Sequence, residues 1–418
     1  MKWTGGIAAD LNGTGRKDYS VYYGFGKVGN NPALCFYPKG NGTRFEITMQ
    51  GSYGWMNSGD FTYDVASGFN SIAAGDFNND GKETIVFYDP AKGNLNLIEY
   101  KPGKRVSTYN IGADTTIAGF YGKTLNDIQG FSAGKEVYNT ARVNLTADNV
   151  DGKDGDELIV TVSLGNLCGE SGLTDRSSVL LVLKKNGDDW KIVYAKQMSS
   201  VVVSEKNNDH SHDGTNGWYM RSASSDVGDV DGDGALEIIT VGTLADDRSH
   251  NDDDIRTDGT VAVITDCGGT YQTQTSGSGI RGDFLPRAAA GSDYVGYASD
   301  KYAQMGPVSL ACVQFDGINT QEYIVVRGEI FYLSEGKFDV VNNPFTYMIL
   351  NNVWGMYRPV VGNFDSNTQG REQIFWVQVR DKKETDLQIA GYYYSGNSSL
   401  KDNAGALRSC RYGVPGEK

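Results

Sequence analysis

The sequence predicts an all-β protein, a β-propeller of six blades with four antiparallel strands in each, seven blades being the alternative count. Three observations predict it. An acidic turn running into a β-branched segment recurs along the chain, several copies continue into two further β-like runs, and successive copies start roughly 50 to 85 residues apart. Composition points the same way, since 39% hydrophobic content with 54 glycines and 25 tyrosines describes a turn-rich chain. By length alone, 418 residues suggest two or three domains. A closed ring of repeats makes the chain one domain instead, with repeats starting near residues 5, 71, 141, 221, 307 and 359.

The fourth copy is the most complete: Asp229-Val-Asp231-Gly-Asp233-Gly-Ala-Leu-Glu237. Oxygens at positions 1, 3 and 5 converge on one hard cation, Gly234 allows the tight turn, the Ala235 carbonyl can face inward, and Glu237 closes the shell. Calcium suits such an all-oxygen set. An EF-hand is excluded, because its closing Glu stands at position 12 on a helix, whereas Glu237 stands at position 9 and leads into Ile238, Ile239, Thr240 and Val241.

The other copies follow this template less closely. The first supplies Asp10, Asn12, Thr14 and Asp18, and the second supplies Asp76, Asn78 and Asp80 with Thr84 at the closing position and Glu83 one place early. The third keeps Asn149, Asp151 and Glu157 but has Lys153 at position 5. The fifth has lost its first acid, which is Gln314, and carries Ile318 at position 5 with Glu322 read as its closing residue, so it is expected to bind calcium poorly or not at all. The sixth, with Asn363, Asp365, Asn367 and Glu372, has one extra residue before its closing acid.

After the loops, β-like runs cover 95–100 and 106–111 in the second copy, 179–183 and 190–194 in the third, and 260–265 and 270–275 in the fourth. With the run entering each loop, that makes four strands per unit. A seventh, degenerate blade would lie between 275 and 307 or on a larger parent protein.

The segments GDFNNDGKETIVFY and GDVDGDGALEIITVG resemble FG-GAP or VCBS repeats, the unit of integrin α-chain propellers and of many secreted bacterial proteins. The resemblance covers most of the chain. It implies calcium in the turns between the first two strands of the blades, with a structural role, and it leaves function open, because adhesins, lectins, enzyme modules and scaffolds all use such repeats.

A net charge of −14 and a pI near 4.7, with no clustered Lys and Arg, exclude a nucleic-acid partner. No segment is long and apolar enough to insert in a membrane. Cys35, Cys168, Cys267, Cys312 and Cys410 form no CxxC pair, which excludes zinc ribbons and thioredoxin-type motifs; an odd count leaves at least one thiol unpaired in a monomer. The chain opens on Met1-Lys2-Trp3-Thr4, which is no signal peptide, and is read as a module of a larger extracellular or cell-surface protein.

In a propeller the connections between blades share a face with the loops joining strands two and three, and this chain places long insertions there, at 51–70, 120–140, 165–176, 204–221, 245–258, 281–306 and 343–358. They carry Trp55, Tyr63, Trp218, Tyr219, Trp354 and Tyr357, which suit stacking on sugar rings. The expected function is therefore a calcium-stabilised, monomeric binding module for a glycan or an extracellular protein. The rival is a carbohydrate-active enzyme such as a polysaccharide lyase, using His210, His212 or His250, the only histidines in the chain. No GxSxG or HExxH motif accompanies them. A ligand-free spacer is the third reading.

Overall fold

The computed structural model describes residues 2–10, 13, 15, 19–25, 33–40, 45–52, 72–89, 96–101, 104–116, 119, 124, 141–164, 178–198, 219–245, 257–268, 270–273, 282–284, 310–318, 320–326, 328–341, 359–363, 370–379 and 387–413. These residues form an all-β protein of six antiparallel sheets. The first sheet is β1 (Lys2–Ala9), β2 (Tyr19–Phe25), β3 (Ala33–Gly40) and β4 (Phe45–Ser52). The second is β5 (Ile72–Gly75), β6 (Thr84–Asp89), β7 (Asn96–Lys101) and β8 (Lys104–Asn110). The third is β9 (Ala141–Asp148), β10 (Glu157–Leu164), β11 (Val179–Asn186) and β12 (Asp189–Gln197).

The fourth sheet runs through β13 (Tyr219–Gly228), β14 (Glu237–Ala245) and β15 (Thr257–Asp266), whose outer edge is shared by β16 (Gln272–Thr273) and β17 (Gly282–Phe284). Within 275–307, where the alternative seven-blade count would place its extra blade, the described residues 282–284 form β17 of the fourth sheet. The fifth sheet is β18 (Leu310–Val313), β19 (Tyr323–Val326), β20 (Glu329–Ser334) and β21 (Lys337–Val340), and the sixth is β22 (Val360–Gly362), β23 (Gln373–Val379), β24 (Leu387–Tyr394) and β25 (Leu407–Gly413). Strands pair in chain order in every sheet except that β17 returns to β15, as antiparallel neighbours joined directly in sequence do.

First strands touch one another in cyclic order, β1 on β5, β5 on β9, β9 on β13, β13 on β18, β18 on β22, and β22 back on β1. All six line a common cavity of about 140 Å³, to which Ala8, Ala74, Ala147, Asp226, Ala311 and Val361 contribute one residue per sheet. Mostly small side chains stand where six sheets converge.

The middle strands read as unbroken apolar runs because both of their faces are covered. Along β11, Val179, Leu181 and Leu183 pack with Ala73, Val86 and Leu97 of the second sheet, while Leu180 and Val182 pack with Ile238 and Val263 of the fourth. The same sharing continues from the fourth sheet to the fifth and from the fifth to the sixth. Position 2 of each described loop adds an apolar plug to the core ahead of it. Phe77, Val150, Val230 and Phe315 are all buried, and Phe77 meets Trp190 of the next sheet edge-on at 4.9 Å.

Candidate metal centre

Loops between first and second strands hold their shape by the same local bonds. In the fourth loop, Asp229 at position 1 accepts the Gly232 N–H at 2.7 Å and the Gly234 N–H at 3.0 Å, one on each carboxylate oxygen. Asp231 accepts the Asp233 N–H at 3.2 Å, and Asp233 accepts the Ala235 N–H at 2.8 Å. Gly232 and Gly234 take φ of 83° and 88°, which lets the backbone curl round its own carboxylates. In the second loop Asp76 accepts the Asp80 and Gly81 N–H groups at 2.9 and 2.8 Å, and in the first Asp10 accepts the Gly15 N–H at 2.5 Å.

In the fourth loop this curl brings one oxygen each from Asp229, Asp231 and Glu237 within 4.8 Å of one another. Among the described residues this is the one such cluster. Glu237 is 3% exposed, and one of its oxygens accepts the Val230 N–H at 3.0 Å. Burial, then the charges of Asp229, Asp233 and Asp266, pushes its carboxyl up to about 7, against the opposing Val230 bond. Hard oxygen donors, mutual repulsion and burial together make a set that a divalent cation would relieve, so the residues fit calcium.

The third loop has the same frame and a different filling. Glu157, fully buried, accepts the Val150 N–H at 3.1 Å as Glu237 accepts that of Val230. Its other oxygen lies 2.6 Å from Nζ of Lys184, which also reaches Oδ2 of Asp151 at 2.9 Å. Burial works to raise the Asp151 carboxyl, but the bonds and charge of Lys184, with help from Lys153, hold it below the usual range. Lys184 follows Leu183 on β11, which pairs with Leu158; in the fourth sheet the same register pairs Glu237 with Asp266. One position on the third strand thus carries opposite charge in the two sheets.

The second loop is tied elsewhere. Thr84 donates to Glu99 at 3.3 Å and Asn78 at 3.5 Å, and fully buried Glu99 pairs with Lys185 of the third sheet. The alternation of β7 places Glu99 on the same side as core-facing Leu97, so an acid at a core position was the available signal, and it was missed. In the fifth loop Asp316 accepts the Tyr323 hydroxyl at 2.8 Å and the Leu400 N–H at 2.9 Å.

A second set of acids stands one residue before the second strands and joins neighbouring sheets. Glu83 accepts the Asp10 N–H at 2.6 Å and returns its own N–H to the Asp10 carbonyl at 3.1 Å. Asp156 does the same with Asp76 at 2.7 and 3.1 Å, and Glu372 with Gln314 at 2.9 and 2.7 Å. Glu322 completes the series on Asp229, donating its N–H at 2.7 Å and accepting the Asp229 N–H in return. Glu83, Glu322 and Glu372 thus each latch their loop to the loop of the preceding sheet. β19 opens on Tyr323 and β23 on Gln373, the register that Glu237 occupies in β14.

Gly75 and Gly228 make room for the latch, since a Cβ on Gly75 would stand 3.0 Å from Asp156 Oδ2 and one on Gly228 2.5 Å from Glu322 Oε2. The third-to-fourth junction lacks the acid, having Leu236 in its place. It is tied instead by Asn144 accepting the Ser225 N–H at 2.7 Å and by Thr146 donating to Asp226 at 2.7 Å. Facing the central cavity, Glu322 has its carboxyl driven well above the usual range by burial and then by Glu372, Asp226 and Asp148.

Of the other expected site residues, Asn363 follows β22 directly, and Tyr219 opens β13. Asn12, Thr14, Asp18, Asp365, Asn367, Trp55, Tyr63, Trp218, Trp354, Tyr357, His210, His212 and His250 lie outside the described residues. Cys267 and Cys312 are buried free thiols. No described helix is long and apolar enough to cross a membrane.

No protein-family model matches the chain, and no curated protein matches it. Among solved structures it is similar to a mutant of AofleA from Arthrobotrys oligospora, at 9% identity over 100% of this chain and 90% of that one, TM-score 0.44. A rhamnogalacturonan lyase of Bacillus licheniformis matches at 12% identity over 91% of this chain and 70% of that one, TM-score 0.35. A levansucrase mutant of Bacillus subtilis matches at 11% identity over 81% and 86%, TM-score 0.36. Likeness at this level carries no argument about activity.

Proposed function

We propose that the chain is a six-bladed, calcium-stapled β-propeller of the FG-GAP or VCBS kind, acting outside the cell as a monomeric binding module. Support for six blades comes from the six four-stranded paths and from the cyclic contacts of their first strands. The calcium reading rests on one observation, the convergence of Asp229, Asp231 and Glu237 in a turn whose remaining geometry is set by backbone bonds to the same carboxylates. The ion is a staple and not a catalyst, because the loop's own oxygens fill its surroundings. With calcium tenfold above the dissociation constant, such a site adds about 1.4 kcal/mol of stability.

The partner we propose is a glycan or an extracellular protein held on the insertion-rich face, supported by the aromatic residues that the sequence concentrates in those insertions. Melting in calcium and in chelator tests the staple: wild type should melt higher in calcium, and Asp231→Ala should melt alike in both. A glycan array, with product release followed in parallel, tests the face. Binding without turnover supports a module, and turnover would replace it with an enzyme.

A further inference from the structure

We propose that the third loop takes no metal ion because the chain supplies its own cation, the ammonium of Lys184, held between Asp151 and Glu157. Asp151 and Glu157 stand at the offsets from Asn149 that Asp231 and Glu237 hold from Asp229. Both closing glutamates give one oxygen to the N–H of loop position 2, at 3.1 and 3.0 Å, which turns the other oxygen inward. In the third loop that inward oxygen is 2.6 Å from Lys184 Nζ, and Asp151 Oδ2 is 2.9 Å from the same nitrogen. An ammonium hydrogen-bonded to one carboxylate and ion-paired with a second at these lengths occupies the space a calcium ion needs for its own 2.3–2.6 Å contacts, so the two exclude each other.

Part of the frame beneath the ammonium is that of the fourth loop. Gly152 takes a positive φ of 66° at loop position 4, as Gly232 does at 83°, and Asp151 accepts the Lys153 N–H at 2.9 Å as Asp231 accepts that of Asp233; the second positive-φ glycine stands at position 7, Gly155, where the fourth loop has it at position 6, Gly234, and Asn149 Oδ1 is buried without a hydrogen-bond partner. Removing the ammonium should therefore uncover a latent calcium site. The inference rests on the calcium reading of the fourth loop only for the identity of the ion.

Calcium titration calorimetry on the chelator-treated full chain tests it. Asp151→Asn is expected to bind as many calcium ions as wild type, and loss of one equivalent overturns the proposal. Lys184→Gln is expected to gain one equivalent, and a folded Lys184→Gln protein with no gain overturns it equally. Where Lys184→Gln does not fold, Asp151→Asn decides. Asp231→Asn reads the fourth loop alone: an unchanged count there removes the staple while Lys184→Gln still judges the third loop.

Discussion

In the third loop Asp151 and Glu157 close around an ammonium, while in the fourth Asp229, Asp231 and Glu237 converge beside a further carboxylate, Asp266. The two loops share a positive-φ glycine at position 4 and the bond between position 2 and the closing glutamate. Electrostatics separates them, and it enters from the third strand of the sheet, outside the loop itself. Lys184 there sets an ammonium against Asp151 and Glu157, whereas Asp266 there adds a carboxylate to those of Asp229 and Glu237. Loop acids alone therefore do not fix the charge balance of a turn. The second sheet has Lys101 at this same register and Thr84 at its closing position, which places it nearer to the third loop than to the fourth.

The largest effect that would break this comparison is expected from Lys184→Met in chelator. It strands the buried Glu157 carboxylate and should cost about 3 kcal/mol, at the lower end for a broken buried pair because Lys184 is 29% exposed. Chemical denaturation measures it, and a loss below about 0.5 kcal/mol would mean that the ammonium is not the loop's counter-ion. Next comes the latch. Glu322→Ala leaves the Asp229 N–H without its acceptor and should cost about 1–3 kcal/mol, whereas Leu236→Ala, at the junction without a latch, tests only packing. Equal losses of cooperativity and calcium response in both would argue that the latch adds nothing specific.

Asp266→Lys sharpens the comparison from the other side. It should give the fourth loop the filling of the third and remove a calcium increment of about 1.4 kcal/mol at tenfold excess. A calcium-dependent rise in melting temperature equal to that of wild type would refute it. The smallest effect is a pH dependence of the metal-free protein. Glu237 titrates near 7 when folded and near 4.5 when unfolded, so between these values the folded chain holds a proton that the unfolded chain has released. That contribution is complete below about pH 4.5 and is lost as pH rises through 7. Melting in chelator from pH 4.5 to 8 should show the decline, and calcium should flatten it; a Glu237→Gln protein with the same slope as wild type would assign the proton elsewhere.

Much of the molecule was legible in residue order. Acid and apolar positions alternate through Asp229, Val230 and Asp231, and runs such as Ile238 to Val241 follow at once, so turn and strand are both local facts. Of the strand runs expected in the second, third and fourth copies, 179–183, 190–194 and 260–265 fall within β11, β12 and β15, while 95–100, 106–111 and 270–275 overlap β7, β8 and β16, with Ile111 opening a 3-10 helix. Chain order also gave the acids of each loop.

What those acids do was decided across space. Glu83 and Asp156 sit in their own loops, yet each bonds to the loop of the preceding sheet, more than seventy residues away. Glu157 and Glu237 look interchangeable in sequence, and only strand pairing reveals that one faces Lys184 and the other Asp266. The physical reason is range: turn shape depends on φ, ψ and bonds a few residues apart, whereas the charge balance of a buried carboxylate depends on every group within several ångströms, whichever part of the chain supplies it.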